Sequence, residues 1–452
     1  MEERAQCGRR AFAGLVLVAG VAAAAHVPAE VRIAGPSDYR QQLERLEPGD
    51  TLALDPGTYR RGLPVHGLRG TAERPIHIAG PEKGRPAVFL ARSGHNTVSI
   101  ANSAYVTIRN LEIDGRGLPV DAVKAEATAD FAHHITLRDL RISDLRQHQQ
   151  VVGISTKCPA WGWVVSDNVI EGAGTGMYFG NPDGSAAFVG GTIEHNLVVD
   201  PIGYALQVKH SEGRPDAEGM PTEPRTTIVR HNVFAKGERS ATGASARPNV
   251  LLGHPPRSGP GANDRYAVYG NLFYRNATER LFQGEGTIAL YDNLFVNPAG
   301  GGIAIMPHKG DPRRIWIFHN TVIARGTGLF FRASERTRTR VVTGNAIFSD
   351  EPIGGNATDG SGNFLAPYSA AGEHLRAPFA EPGELNPVPS AGALTRSADP
   401  PLGLMWEWPG ARRDFDGVPR SGEYFGAYVG GREAPAWTPA LAIKPRRAPG
   451  AD

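Results

Sequence analysis

Asn271-Leu-Phe-Tyr, Asn293-Leu-Phe-Val and Asn320-Thr-Val-Ile are three instances of one phrase, an Asn followed by two or three apolar residues. Upstream it recurs as Asn110-Leu-Glu-Ile, Asn168-Val-Ile, Asn196-Leu-Val-Val and Asn232-Val-Phe, and downstream as Asn345-Ala-Ile-Phe and Asn363-Phe-Leu. Asp139-Leu-Arg-Ile fills the one vacant beat. The intervals are 29, 29, 28, 36, 39, 22, 27, 25 and 18 residues. Short strands returning at such a period are the signature of a solenoid. Asn suits the position for two physical reasons. It tolerates the left-handed backbone of a tight turn, and stacked amides can hydrogen-bond from coil to coil. The apolar pair after it starts a strand that faces the interior.

Composition agrees. The 452 residues include 56 Gly and 36 Pro, too much turn chemistry for a helical protein. Long helical periodicity is absent from the middle of the chain. A net charge of +2, with no basic arm or polybasic tail, argues against a nucleic-acid or membrane-surface partner. Arg9 and Arg10 precede an apolar run, Ala11 to Ala25, the pattern of an export signal. Arg9-Arg10-Ala-Phe resembles a twin-arginine signal, and an ordinary secretory signal fits the same residues. The run is shorter than the roughly 20 residues that span a bilayer, so no membrane span is expected in the mature chain. Cleavage near Ala25 removes Cys7, leaves Cys158 alone and allows no internal disulfide. The expected location is the bacterial periplasm or exterior.

A second strand follows each Asn strand, as in Asp121-Ala-Val-Lys124, Val152 to Lys157, Gly203 to His210, Asn249 to His254 and Gly302 to His308. Lys124, Lys157, Lys209, His210, His254, Glu285, His308 and Arg332 end these strands. Stacked at about 4.8 Å per coil, they would form a mostly basic stripe suited to an extended acidic polymer. A solvated row of strand-end side chains is the plainer reading of the same residues. Residues 211–227, 235–248 and 254–264 are insertions, expected to frame a cleft beside the middle coils.

At the N-terminal side, residues 37–59 read as a cap with a helix over Tyr39 to Leu46. Pro48-Gly-Asp50 and Pro56-Gly-Thr-Tyr59 are followed by Pro75-Ile-His-Ile78 and by Tyr105-Val-Thr-Ile-Arg-Asn-Leu111. This series resembles the cap and first coils of right-handed parallel β-helix proteins of the pectin-lyase type. The expected fold is therefore all-β: a right-handed parallel β-helix with an N-terminal helical cap over residues 37–365. A signal peptide over 1–25 precedes it, and a Pro-rich closure over 366–452 follows, its last residues, 430–452, an exposed tail.

Val208-Lys209-His210-Ser211 and Leu251-Leu252-Gly253-His254 are the sharpest local signals. They are distantly similar to the Lys-Ser and Leu-Arg-His-Gly segments of alginate-lyase and chondroitin-lyase-B type polysaccharide lyases. That resemblance implies that Lys209 is the base, with His254 on the family's His and Gly253 on the position of its Arg, for which Arg247, Arg230 or Arg239 would substitute. Calcium is the cofactor the resemblance implies, but the family's acidic ligands upstream of the Lys are not reproduced, and Tyr204 lies there. The chemistry would be β-elimination on a uronate polymer, with Lys209 activated by Arg247 and protonated His210. His254 or Tyr204 would protonate the leaving oxygen. Lys209 and His254, ending strands in consecutive coils, are expected side by side.

Glu285, between two glycines, reads as exposed and able to bind metal, orient a His or act as an acid. Trp161 and Trp163 read as packed under a loop. The resulting expectation is an exported lyase or C5-epimerase that binds acidic polysaccharide as a monomer. The alternatives are a non-catalytic polysaccharide-binding β-helix and a glycoside hydrolase using a pair such as Asp183 and Glu285.

Overall fold

The computed structural model describes residues 28–356, 360–396, 405–420 and 423–446. The expected export signal lies outside them. The chain winds into a right-handed parallel β-helix with three strand ladders. The first runs from Val31–Ala34 through strands such as Ser103–Arg109, Thr226–Arg230 and Gly286–Tyr291 to Thr339–Thr343. After a tight turn comes the second ladder, which includes Leu197–Val199, Val233–Ala235, Leu272–Tyr274 and Leu294–Asn297. The third includes Val123–Ala125, Val152–Thr156, Thr175–Phe179, Leu206–Val208, Val250–Leu252 and Phe282–Gly284. The second and third merge near the C-terminal side, where the long strand Thr321–Phe331 serves both.

Alternation fixes which side chains turn inward. In Thr175–Phe179, Met177 and Phe179 are buried in the core while Tyr178 faces out. Like residues stack on like in successive coils. The Phe273 and Phe295 ring centroids are 4.5 Å apart, and those of Tyr291 and Phe318 are 4.8 Å apart. Such stacks give a solenoid most of its stability, because each coil buries its apolar face only against its neighbours.

The recurring phrase divides its two roles between adjacent positions. The left-handed residue is the one before the buried Asn: Asp167, His195, His231, Gly270, Asp292, His319 and Gly344 all have positive φ. The next residue, from Asn168 to Asn363, forms the amide ladder. Asn232 Nδ2 donates to Asn271 Oδ1 at 3.0 Å, Asn271 to Asn293 at 2.9 Å and Asn293 to Asn320 at 3.0 Å. Each backbone N–H donates to the same oxygen. Asn110 and Asp139 belong to the left-handed row, at φ +57 and +55. Arg141 pairs with Val169, so Leu140 takes the ladder position in its coil. The apparent beat at Asn110 and Asp139 is therefore one residue out of step with the ladder. A left-handed turn selects Asn, Asp, His and Gly alike, so short polar residues recur there too.

The cap helix is shorter than expected, Tyr39–Leu43. Its Tyr39 packs edge-on against Tyr59 and donates to the Gly62 carbonyl at 2.6 Å. Trp161 and Trp163 are buried as expected; Trp163 donates to the Ala132 carbonyl at 2.8 Å.

The expected exposed tail is corrected over its described part. Arg420, Lys444 and Arg446 reach the left-handed row. Lys444 is only 4% exposed, and its ammonium donates to the carbonyls of Gly270 (2.9 Å) and Phe415 (2.7 Å). Arg446 pairs with Asp167 and Glu194, and Arg420 with Asp292. The row supplies carboxylates and open carbonyls, and a basic segment satisfies them.

Candidate functional site

The outward positions of the third ladder make the floor of a groove. Register runs Ser99, Lys124, Ser155, Tyr178, Gln207, Leu251, Gln283 through successive coils. The groove has a volume of about 960 Å³ and is lined by Lys124, Lys157, Lys209, Tyr178, Tyr204, Gln207, Arg247, Gln283 and His308, with Asp121 and Glu279. Six residues singled out from the sequence thus line one groove: Lys124, Lys157, Lys209, Tyr204, Arg247 and His308.

One wall comes from two loops that precede third-ladder strands. The Gln149 side chain donates to the Ser245 carbonyl at 2.6 Å and joins them. Arg247 is held through its backbone. Its carbonyl accepts from the buried Lys236 ammonium at 2.6 Å and from Asn276 Nδ2 at 2.9 Å. The Arg247 guanidinium carbon is 6.0 Å from the centroid of the Tyr204 ring. Of the three insertions, only 235–248 supplies groove wall. The other two pack on one another, where Arg214 Nη2 donates to both carboxylate oxygens of Asp264, at 2.6 and 2.8 Å.

Lys157 occupies the centre of the floor. Its Nζ lies 3.4 Å from the centroid of the Tyr178 ring and donates to the Gly180 carbonyl at 3.3 Å. Burial pulls its pKa down to about 7; Asp121 opposes this, and Lys124 and Lys209 reinforce it. Burial also lowers the Lys209 pKa, with Lys309 adding to the shift and Glu285 opposing it. The Tyr204 hydroxyl is raised by burial, against the pull of Arg247, and Tyr178 is raised to about 12, again by burial. Asp121 is raised by burial while Lys124 and hydrogen bonds from Val152 N–H and Ser155 Oγ pull it down. Desolvation thus raises the phenols and lowers Lys157 and Lys209, and neighbouring amines add to the lowering of the two lysines.

His210 and His254 lie behind this surface. Val208 pairs with Leu252, and Gly253 N–H donates to the Val208 carbonyl. The register therefore sets Gly253 beside Lys209 and His254 beside His210. A one-residue offset sends a side chain to the opposite side. The two imidazoles pack at a tilt of 37°, centroids 5.3 Å apart, and are 6% and 1% exposed. His254 Nδ1 donates to the Pro255 carbonyl at 2.8 Å, and its ring lies where a Cβ at Gly310 would sit.

Glu285, expected to be exposed, is fully buried. Its carboxylate accepts the backbone N–H groups of His254 (3.2 Å), His308 (2.8 Å), Lys309 (3.0 Å) and Gly310 (2.8 Å). It anchors the turn that presents His308. Arg332 is exposed but lies beyond the groove lining. Among the described residues, no group of three His, Cys, Asp or Glu is placed to hold a metal ion such as calcium.

Tyr178, Gln207, Gln283, Asp121 and Glu279 are groove residues the sequence reading missed. Strand alternation was the available signal for Tyr178, which lies between two core residues in an apolar run.

No known protein family matches the chain, and no curated protein does. Solved structures of similar shape include a family 6 alginate lyase, AlyGC (14% identity, TM-score 0.47, covering 74% of this chain and 51% of that one). A second is a GH136 lacto-N-biosidase from Eubacterium ramulus (10%, 0.46, 75% and 68%). A third is the Streptococcus pneumoniae surface protein and adhesin PfbA (11%, 0.39, 74% and 99%). The chain spans about half the length of the AlyGC structure. No helix among the described residues is long and apolar enough to cross a membrane.

Proposed function

We propose that the protein is an exported carbohydrate-active enzyme that cleaves a uronate-containing polysaccharide by β-elimination, with C5-epimerisation as the close chemical variant. The observation that carries this reading is the convergence of Lys124, Lys157, Lys209, Tyr204 and Arg247 on one groove. Fixed cations along a groove attract a carboxylated chain. Arg247, with Lys157 and Lys124, neutralises a uronate carboxylate, which makes the C5 proton removable. Lys209, whose pKa burial lowers, accepts that proton. The C5–H electron pair becomes the C4–C5 double bond, and the C4–O bond breaks. Tyr204, kept protonated by burial, donates to the departing oxygen. In epimerisation the C4–O bond stays intact, and a proton returns to C5 from the other face.

The pair Asp183 and Glu285 does not serve hydrolysis: Glu285 accepts from backbone donors, and Asp183 accepts from Ser185 in an exposed turn. The test is ultraviolet absorbance from an unsaturated uronate product, scored on alginate, pectate, chondroitin and heparin-like polymers, with proton exchange at C5 as the epimerase assay. Binding to one of these polymers without either signal would make the protein a polysaccharide-binding β-helix. Loss of both binding and turnover would overturn the reading.

A further inference from the structure

Toward the cap, the groove opens into a second cavity of about 440 Å³. The two share Gly94, His95 and Asn96 in their linings. Their floors are one row, since Pro64 pairs with Ser99 and Ser99 with Lys124. This cavity is lined by three arginines from three separate segments. Arg40 is on the cap helix, Arg61 lies between Gly57–Tyr59 and Leu63–His66, and Arg92 follows Ala87–Leu90. All three are close enough to the Tyr39 hydroxyl to act on its ionisation. Among the described residues none of the three has an ion-pair partner, whereas arginines elsewhere, such as Arg214, Arg230 and Arg420, are paired with carboxylates. The single carboxylate in the lining, Glu126, accepts from the Asn96 amide at 2.9 and 3.2 Å and makes no ion pair with the three arginines. Three converging guanidinium groups with no acidic partner are a receptor for an anion.

We propose that Arg40, Arg61 and Arg92 form a distal subsite for a carboxylate of the same acidic polysaccharide whose central residues lie over Lys157 and Tyr178. This rests on the reading of the groove as a uronate site and adds to it a direction and a length. Five strand steps separate the Pro64 row from Gln207, roughly 24 Å at the usual spacing, the span of several sugar residues. A ligand must therefore be a chain rather than a short oligomer to engage both regions.

The test is calorimetric binding of size-fractionated alginate and pectate oligomers, trimers against decamers, to the full chain and to Arg40→Ala/Arg61→Ala/Arg92→Ala. Decamer binding is expected to weaken about tenfold in the triple variant, because three exposed charge pairs each contribute modestly. Trimer binding should stay unchanged, and the decamer gap should shrink at high salt. Lys at the three positions should restore most of the decamer affinity. Arg61→Glu alone should weaken decamers selectively, and it keeps the test decisive if the triple variant folds poorly. Equal losses for trimer and decamer, or no loss for either, would overturn the distal subsite while leaving the groove reading in place. Failure of the unmodified protein to bind any oligomer would remove both.

Discussion

The Lys157 ammonium lies over the Tyr178 ring, 3.4 Å from its centroid, on the floor of a groove that two other lysines also line. The ring face offers attraction without neutralising the charge, so burial decides the outcome and the pKa falls to about 7, from the usual 10.5. The sign follows from proton binding. Between these pH values the unfolded chain holds this proton more often than the folded chain, so stability rises with pH across that window. Below about 7 both states are protonated and the cost of burying the charge is constant.

Thermal melts of Lys157→Met should therefore show a flatter dependence between about pH 7 and 10 than the parent. Polymer affinity of the parent should drop several-fold between about pH 6 and 8 as the ammonium discharges, and the variant should lack that drop. Identical pH profiles in the two proteins would rule Lys157 out as the titrating group.

Lys209→Ala should abolish turnover and leave polymer binding within a few-fold, since one charge among several contributes little. Tyr204→Phe should slow turnover by about 10²-fold with binding intact, the usual loss for a proton donor. Full activity in either variant would reassign that role, and Tyr178 would be the next residue to substitute.

His254→Ala should behave in the opposite way. The ring is buried against His210 and Gly310, so its removal should cost roughly 2 kcal/mol of stability and change turnover only slightly once the protein is folded. A collapse of turnover with an unchanged Tm would return His254 to the catalytic machinery.

Glu285→Ala removes the acceptor for four backbone N–H groups. Hydrogen bonds to a buried carboxylate are costly to lose, and the expected destabilisation is about 3 kcal/mol or more. Amide exchange at residues 308–310 should accelerate first, which mass spectrometry would detect.

Asn271→Ala should also destabilise strongly, by about 2–4 kcal/mol. It removes the one oxygen that accepts both the Asn232 backbone N–H and the Asn232 amide, and one of the two donors to the Asn293 oxygen. Asp139→Gly, at φ +55, should be neutral or stabilising. Equal effects at the two positions would contradict the division of roles between ladder and turn.

The β-helix was legible because each coil repeats the same demand, an apolar strand after a turn, and periodicity survives variation at single residues. What stayed hidden depends on offsets of one residue. Asn110 and Asn168 look alike in sequence, yet the first makes a turn and the second a ladder rung. Lys209 and His254 both close third-ladder strands, and a shift of one position puts one in the groove and the other behind it. Glu285 between two glycines gave no sign of burial, because its partners are backbone N–H groups, which any sequence supplies. Lys444 lies in a Pro-rich stretch with no period at all, so its docking against Gly270 could only emerge from the folded chain.

That docking changes how the molecule should come apart. A stack of coils held only by neighbours can fray from an open end, one rung at a time. Here Arg420 and Arg446 grip Asp292 and Asp167, turns four coils apart, and Lys444 fastens the stretch between them. The segment works as a lashing on a coiled rope: no enclosed turn can slip free until the lashing is released. Unfolding of the middle coils, and with them the floor under Lys157, is therefore expected as one concerted event rather than gradual unwinding.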